Sequence, residues 1–251
     1  FGINLARESG FFYIMKVSVI IPTYNRFNCL LNAIESVKNQ NYPDIEIIVV
    51  NDRSTQEEYY KYDFPGVTVV HLDKGAIERH GRPMPGCHPR NVGIKIASGD
   101  YIAFLDDDDV WMPYKIRLQI ETMKHYGCNM CCSDGYIDNG TYDENKLYKK
   151  YNSEYYWATI KKIFKRKKRP ELLRSGFPDI WNLDFLNVHN CCVTSSVILA
   201  TEVVRKVGEF KIMSFAEDYD YWKRALVHTK CAYVPIPLFY YDSSHGGGRK
   251  Y

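Results

Sequence analysis

Four consecutive aspartates, Asp106, Asp107, Asp108 and Asp109, follow directly on the apolar run Tyr101-Ile102-Ala103-Phe104-Leu105. Such a run reads as a short buried strand ending in a carboxylate cluster. Four like charges held together cost free energy unless something positive neutralises them. A divalent metal suits the task, because hard cations take carboxylate oxygens and bridge to phosphates. An isolated tetrad would read more simply as a solvated acidic turn. Two further strand ends shift the balance. The apolar run Val17 to Ile21 leads through Pro22 into Thr23-Tyr24-Asn25, and Ile45 to Val50 leads into Asn51-Asp52. Three strand ends that converge on polar and acidic side chains describe a ligand site better than any one of them.

The elements that must position these residues follow from periodicity. Val17–Ile21, Ile45–Val50, Val67–His71 and Tyr101–Leu105 read as strands. The first three are expected to alternate with a helix around Cys29–Val37 (Asn25 or Asn28 as its cap), a short helix to Tyr62 (capped by Ser54 or Thr55) and a helix over Asn91–Ala97. Residues 72–90 read as a long loop. A helix from Pro113 to about Tyr126 comes next. This β-α alternation predicts an α/β fold with a mostly parallel sheet flanked by helices, with its ligands at the carboxyl ends of the strands. Beyond Asn129 the pattern changes. Short strands are expected at Met130–Cys132, Tyr136-Ile137, Lys146–Tyr148, Cys191–Leu199 and Cys231–Val234. Helices are expected from a Thr201 cap to Val207, closed by Gly208, and from the Glu217-Asp218 region to His228, with a flexible tail from Tyr240.

The chain has 251 residues, 45% of them hydrophobic and 25% charged, the composition of a globular protein. Its formal net charge is +3, but residues 161–169 (KKIFKRKKR) carry seven cations, so the remainder sums to 3 − 7 = −4. The basic character is one local patch, which excludes a nucleic-acid-binding face spread over the domain. That run binds anionic lipid headgroups or an acidic acceptor, or else is a solvated face. The 8 cysteines lack a C-x-x-C spacing and read as buried reduced thiols of a cytoplasmic protein, peripheral at a membrane if the basic run engages lipid. No stretch approaches a membrane span, and Phe11–Met15 is too short for a signal-peptide core. Residues 1–15 read as an N-terminal extension. Met15 stands just before the first strand, so residues 1–14 are expected to be foreign to the natural chain.

The order of the motifs resembles the family 2 glycosyltransferases. Val17 to Arg26 (VSVIIPTYNR), Ile48 to Thr55 (IVVNDRST), Arg90-Asn91-Val92-Gly93 with Ala97 to Ile102, and Phe104 to Trp111 are similar to that family's nucleotide-binding elements and D-x-D motif. Thr194–Val197, Val207–Phe210 and Glu217 to Trp222 resemble its acceptor-side block with an E-D base motif. The likeness runs from Lys16 to about His245. It implies the GT-A fold, a Rossmann-like sheet with a smaller acceptor-side region. Residues 16–128 would form a nucleotide-sugar half and residues 129–251 an acceptor half.

The resemblance also implies roles. Pro22, Thr23, Tyr24, Asp52, Arg90, Asp106 and Asp107 would bind a UDP-sugar, with Asp52 on the uracil. Asp108, with Asp106 and His245, would hold Mn²⁺ or Mg²⁺, and Arg249 belongs to the same tail. Asp218, or Glu217 in its place, would be the general base of an inverting transfer to a hydroxyl on a glycan, lipid or protein. Trp181 and Asp220 would meet the acceptor. The absence of Q-x-x-R-W and of membrane spans points to single-sugar addition. Asn51 stands where an aspartate is common, and the all-aspartate tetrad leaves the metal register open. Two other readings compete: a sugar nucleotidyltransferase, against which the glycine-free Pro22–Arg26 counts, and a non-catalytic nucleotide-sugar-binding module.

Overall fold

The structure is a computed structural model that describes residues 15–82 and 86–245. Residues 1–14 and the Gly-rich tail with Arg249 lie outside the described residues.

Strands β1 (Val17–Thr23), β2 (Ile45–Asn51), β3 (Val67–His71) and β4 (Tyr101–Phe104) alternate with α1 (Phe27–Lys38), α2 (Glu58–Lys61), α3 (Ala76–His80) and α4 (Cys87–Ile96). Next come β5 (Val110–Trp111), α5 (Lys115–Tyr126), β6 (Met130–Asp138), β7 (Lys149–Lys150) and α6 (Trp157–Arg166). The chain continues through β8 (Ile180–Trp181), α7 (Leu183–Val188), β9 (Ile198–Ala200), α8 (Thr201–Val207), α9 (Glu217–Ala225) and β10 (Cys231–Asp242). The strands form one sheet in the order β3-β2-β1-β4-β9-β6-β10-β5, with β7 on β6 and β8 on β10. Its long ladders are parallel, as expected, and its antiparallel ladders are short. The antiparallel β9 joins the parallel block β3-β2-β1-β4 to β6-β10.

Alternation along β1 builds two cores. Val17, Val19 and Ile21 join the core shared with α1 and α5, while Ile20 points to the opposite face, whose core also holds Phe104, Trp181 and Trp222. Helix α4 packs hard on β1: a Cβ at Gly93 would lie 2.5 Å from Ile20 Cγ2, so this contact requires glycine. Seven of the eight cysteines are buried in these cores.

Several elements depart from their predicted form. The 72–90 loop contains α3 and the first turn of α4, which starts at Cys87. Pro89 is accommodated because first-turn N–H groups have no helical partner anyway. No side chain caps α1, α2 or α8. Asn25 instead accepts from Thr55 N, and Thr201 donates its hydroxyl to Gly99 O. Gly208 does end α8, at φ 77°. Residues 194–196 form a 3-10 turn, which shortens the strand expected at Cys191–Leu199 to β9. Strand β6 is continuous, and the strand expected at Lys146–Tyr148 forms at Lys149–Lys150. Helix α9 ends at Ala225. Strand β10 runs past Pro235 and Pro237 to Asp242, through two register shifts that absorb the prolines, so Tyr240–Asp242 is sheet and not tail.

Candidate active site

The carboxyl ends of β1, β2 and β4 lie side by side, which brings Thr23, Asn51-Asp52 and the aspartate tetrad together. Burial grades the tetrad: Asp107 and Asp109 are turned inward, at 4% and 1% exposure, the Asp108 side chain keeps 9%, and Asp106 is half-buried. Asp109 accepts from Ser195 Oγ (2.5 Å) and Asp242 N (3.1 Å), tying the turn before β9 and the end of β10 to the motif. Asp107 accepts from Thr23 Oγ1 (2.7 Å), from Tyr24 N (3.4 Å) and from Arg26 (3.0 Å). Its oxygens thus hold the β1 loop.

Arg26 also donates to Asp108 Oδ2 (2.8 Å) and to His245 O (2.9 Å). His245 Nδ1 lies 2.9 Å from Asp242 Oδ2. The end of the described chain therefore folds onto the acidic site. Burial, and then the Asp106 charge, push the Asp108 carboxyl up to about 7 against the pull of Arg26. Burial also raises Asp107 and Asp109. A carboxyl as costly to ionise as that of Asp108, with the hard oxygens of Asp106 beside it, fits a divalent cation.

Arg90 links two parts of the site. Its side chain is buried and donates to Asp106 Oδ1 (2.6 Å) and Glu217 Oε1 (3.0 Å). Burial works against its charge, but Asp106 and Glu217 outweigh it and raise its pKa. Arg90 thus bridges the β4 end and the start of α9. Glu217 is 6% exposed, and burial raises its pKa despite Arg90. The neighbouring Asp218 is half-buried and accepts from Asn190 Nδ2 (3.1 Å) and Tyr219 N (2.7 Å). Asn190 Oδ1 accepts from Cys192 N (3.1 Å), so its amide presents the NH₂ group to Asp218. Just before this pair, Ala216 adopts a left-handed φ of 57°, a conformation costly for a residue with a Cβ.

Asp52 lies at the end of β2, accepting from Arg79 (3.0 Å) and Ala76 N (3.3 Å). Burial raises its pKa more than Arg79 lowers it. Asn51 shapes this turn by accepting from Ser54 N (2.9 Å) and pairing with His71 Nδ1 (3.0 Å). A depression of about 200 Å³ is lined by Asp52, Ala76, Cys87, His88 and Ile212. Pro22 is buried, and Tyr24, 47% exposed, stands available for stacking.

The two acceptor candidates are engaged within the fold. Trp181 is fully buried, stacked on Tyr233 (4.6 Å) and Phe185 (4.8 Å), because β8 pairs with β10 inside the second core. Asp220 is held by Lys211 and Arg224, each at 2.8 Å, the latter one helical turn away. Sequence reasoning missed Arg26, Arg79, Asn190 and Ser195. Arg26 and Ser195 stand inside the quoted motifs, but Asn190 meets Asp218 only through the fold.

A family profile described as "Glycosyl transferase family 2" matches residues 18–201. The chain belongs to this family, which weighs against a nucleotidyltransferase. The match stops short of Glu217-Asp218. A poly(ribitol-phosphate) beta-glucosyltransferase of Bacillus spizizenii is 28% identical over 90% of this chain and 35% of its own length. An uncharacterized glycosyltransferase of Rickettsia prowazekii is 30% identical over 84% of this chain and 58% of its own. S. aureus TarS 1-349 in complex with UDP-GlcNAc superposes with a TM-score of 0.66 at 20% identity, covering 92% of this chain and 60% of that one. That likeness establishes the GT-A-type fold. The chain spans between 15% and 58% of the length of curated relatives such as these and an uncharacterized glycosyltransferase of Rickettsia bellii. No helix among the described residues is long and apolar enough to cross a membrane.

Proposed function

We propose that this domain transfers a single sugar, a hexose, from a UDP-sugar to an acceptor hydroxyl on a glycan, lipid or protein, with inversion at the anomeric carbon. One observation carries the reading: Arg90 couples Asp106, the most exposed member of the tetrad, to the helix start that presents Asp218. The UDP-GlcNAc complex of TarS and the beta-glucosyltransferase activity in the Bacillus relative's name support a nucleotide-sugar donor and a β-linked product.

Residues 16–128 then form the donor half and residues 129–251 the acceptor half. Asp52 accepts the uracil N–H while Tyr24 stacks on the base, and Pro22 and Thr23 shape the loop beneath it. Asp106 and Asp108 would hold Mn²⁺ or Mg²⁺, with His245 close by through Arg26 and Asp242. The cation, when bound, neutralises the diphosphate leaving group. Arg26 gives up or shares its contact with Asp108 to admit it. Asp218 removes the acceptor proton, and Asn190 keeps the carboxylate turned. Glu217, spent on Arg90, does not serve as base. The cationic run 161–169 gives the domain a surface for an anionic partner. Calorimetric titration of UDP with and without Mn²⁺, followed by incubation with a panel of UDP-sugars, tests the proposal. Metal-dependent UDP binding and turnover of one donor are expected. Absence of both sinks it.

A further inference from the structure

Three cysteines from distant parts of the chain meet inside the second core. Cys132 lies on β6, Cys231 opens β10, and Cys192 stands between α7 and the turn before β9. Each is at most 1% exposed. Their sulfurs all lie within 4.8 Å of one another, and those of Cys132 and Cys231 are 3.5 Å apart. Buried cysteine often serves merely as a small apolar side chain. What sets these apart is their spacing. A cation bound about 2.3 Å from each of three sulfurs holds them about 4 Å apart. The observed range, from 3.5 Å to at most 4.8 Å, brackets that separation. A disulfide fits less well. In the parallel ladder Cys231 lies opposite Met130 and Cys132 opposite Tyr233, two residues further along. That stagger sets the two Cα atoms about 8 Å apart, beyond the roughly 7 Å that a disulfide spans.

We propose that Cys132, Cys192 and Cys231 form a thiolate site for a soft cation, Zn²⁺ or Cu⁺, which ties β6 and β10 to the segment that carries Asn190. Binding forms three metal–sulfur bonds and breaks three S–H bonds, the protons passing to solvent. Soft sulfur ligands select these ions over the hard cations expected at the aspartates. The three thiolates leave the bound centre negative, and a positive charge is at hand. Lys115 is fully buried and donates to Gln119 Oε1 (2.6 Å) in place of a carboxylate, and Cys131 and Cys132 are the groups whose charge bears on it. The sulfurs are closed to solvent, so the cation enters as the chain folds. Cys192 N donates to Asn190 Oδ1 (3.1 Å), and Asn190 Nδ2 donates to Asp218 (3.1 Å). The site therefore stands two hydrogen bonds behind the proposed base, but it does not depend on that assignment.

Refolding the full chain from denaturant with Zn²⁺, Cu⁺ or Co²⁺, followed by desalting, tests the proposal. About one equivalent of Zn²⁺ or Cu⁺ should remain per chain by elemental analysis, and Co²⁺ should show the thiolate-to-metal charge-transfer absorption that carboxylates do not give. Retention of either ion supports the site and identifies its occupant. Cys132→Ser and Cys231→Ser should each weaken retention about ten-fold or more, with the circular dichroism of the folded wild type. Cys128→Ser, outside the cluster, and Asp108→Ala, which removes the carboxylate candidate, should retain the ion. If a serine variant fails to fold, X-ray absorption on the loaded wild type decides: sulfur neighbours are expected. Hydrogen exchange at residues 190–196 should slow when the ion is bound. A metal held by oxygen or nitrogen alone, no retained metal with any of the ions, or a Cys132–Cys231 disulfide in the purified protein overturns the proposal. Absence of UDP binding in the wild type would sink the donor reading and leave this result unchanged.

Discussion

The donor end and the acceptor side of this domain are built from the same kinds of residue by different means. At the donor end, Thr23, Asp52 and the aspartate tetrad each sit at the carboxyl end of a parallel strand, and neighbouring strands bring them together. On the acceptor side, Asp218 opens a helix, Asn190 follows α7, and Thr159 of α6 lines a small cavity with Asn190. Their meeting depends on packing across long stretches of chain. Arg90 spans the divide, and both of its carboxylates are needed to compensate a buried cation. Sheet register thus fixes the proposed leaving-group machinery, while the proposed base is adjustable by anything that moves α6, α7 or α9.

Substitutions on the two sides should separate accordingly. The largest effect belongs to the donor end. Asp108→Ala should reduce transfer by about a thousand-fold or more, because charge stabilisation at a diphosphate is worth several kcal/mol. It should also remove the Mn²⁺ dependence of UDP binding by calorimetry, and metal-dependent binding in this variant would reassign the ligand. Trp181→Ala probes the acceptor side. A platform for sugar would lose acceptor affinity at unchanged stability. The buried stack predicts instead a loss of about 3–5 kcal/mol in denaturant unfolding. Asn190→Ala is subtler. Turnover should fall about 10- to 100-fold through misplacement of Asp218, with UDP affinity unchanged. A loss of UDP binding there would erase the distinction between the two sides.

Legibility followed the same division. The strand ends, the α/β order and the acidic site could be read because each motif is contiguous and ends an apolar run. The tetrad's register could not, since four identical residues differ only in which way the strand turns them. Burial separates Asp107 and Asp109 from Asp106 and leaves Asp108 close to the buried pair. Arg90 read as a UDP-sugar contact because its partner Glu217 lies 127 residues away. Trp181 read as an acceptor contact because β8 is only two residues long and pairs with a strand, β10, that the prolines at 235 and 237 disguise. Asn190 gave no signal at all, being one polar residue before a cysteine pair.

The central claim is that Asp218, set by Asn190 and joined to the donor site through Arg90, is the base. Its most direct test is Asp218→Asn, an isosteric change that removes the proton acceptor. Single-turnover transfer should fall by about 10²- to 10⁴-fold, with Mn²⁺-dependent UDP affinity within two-fold of wild type. Transfer at the wild-type rate in this variant would contradict the account.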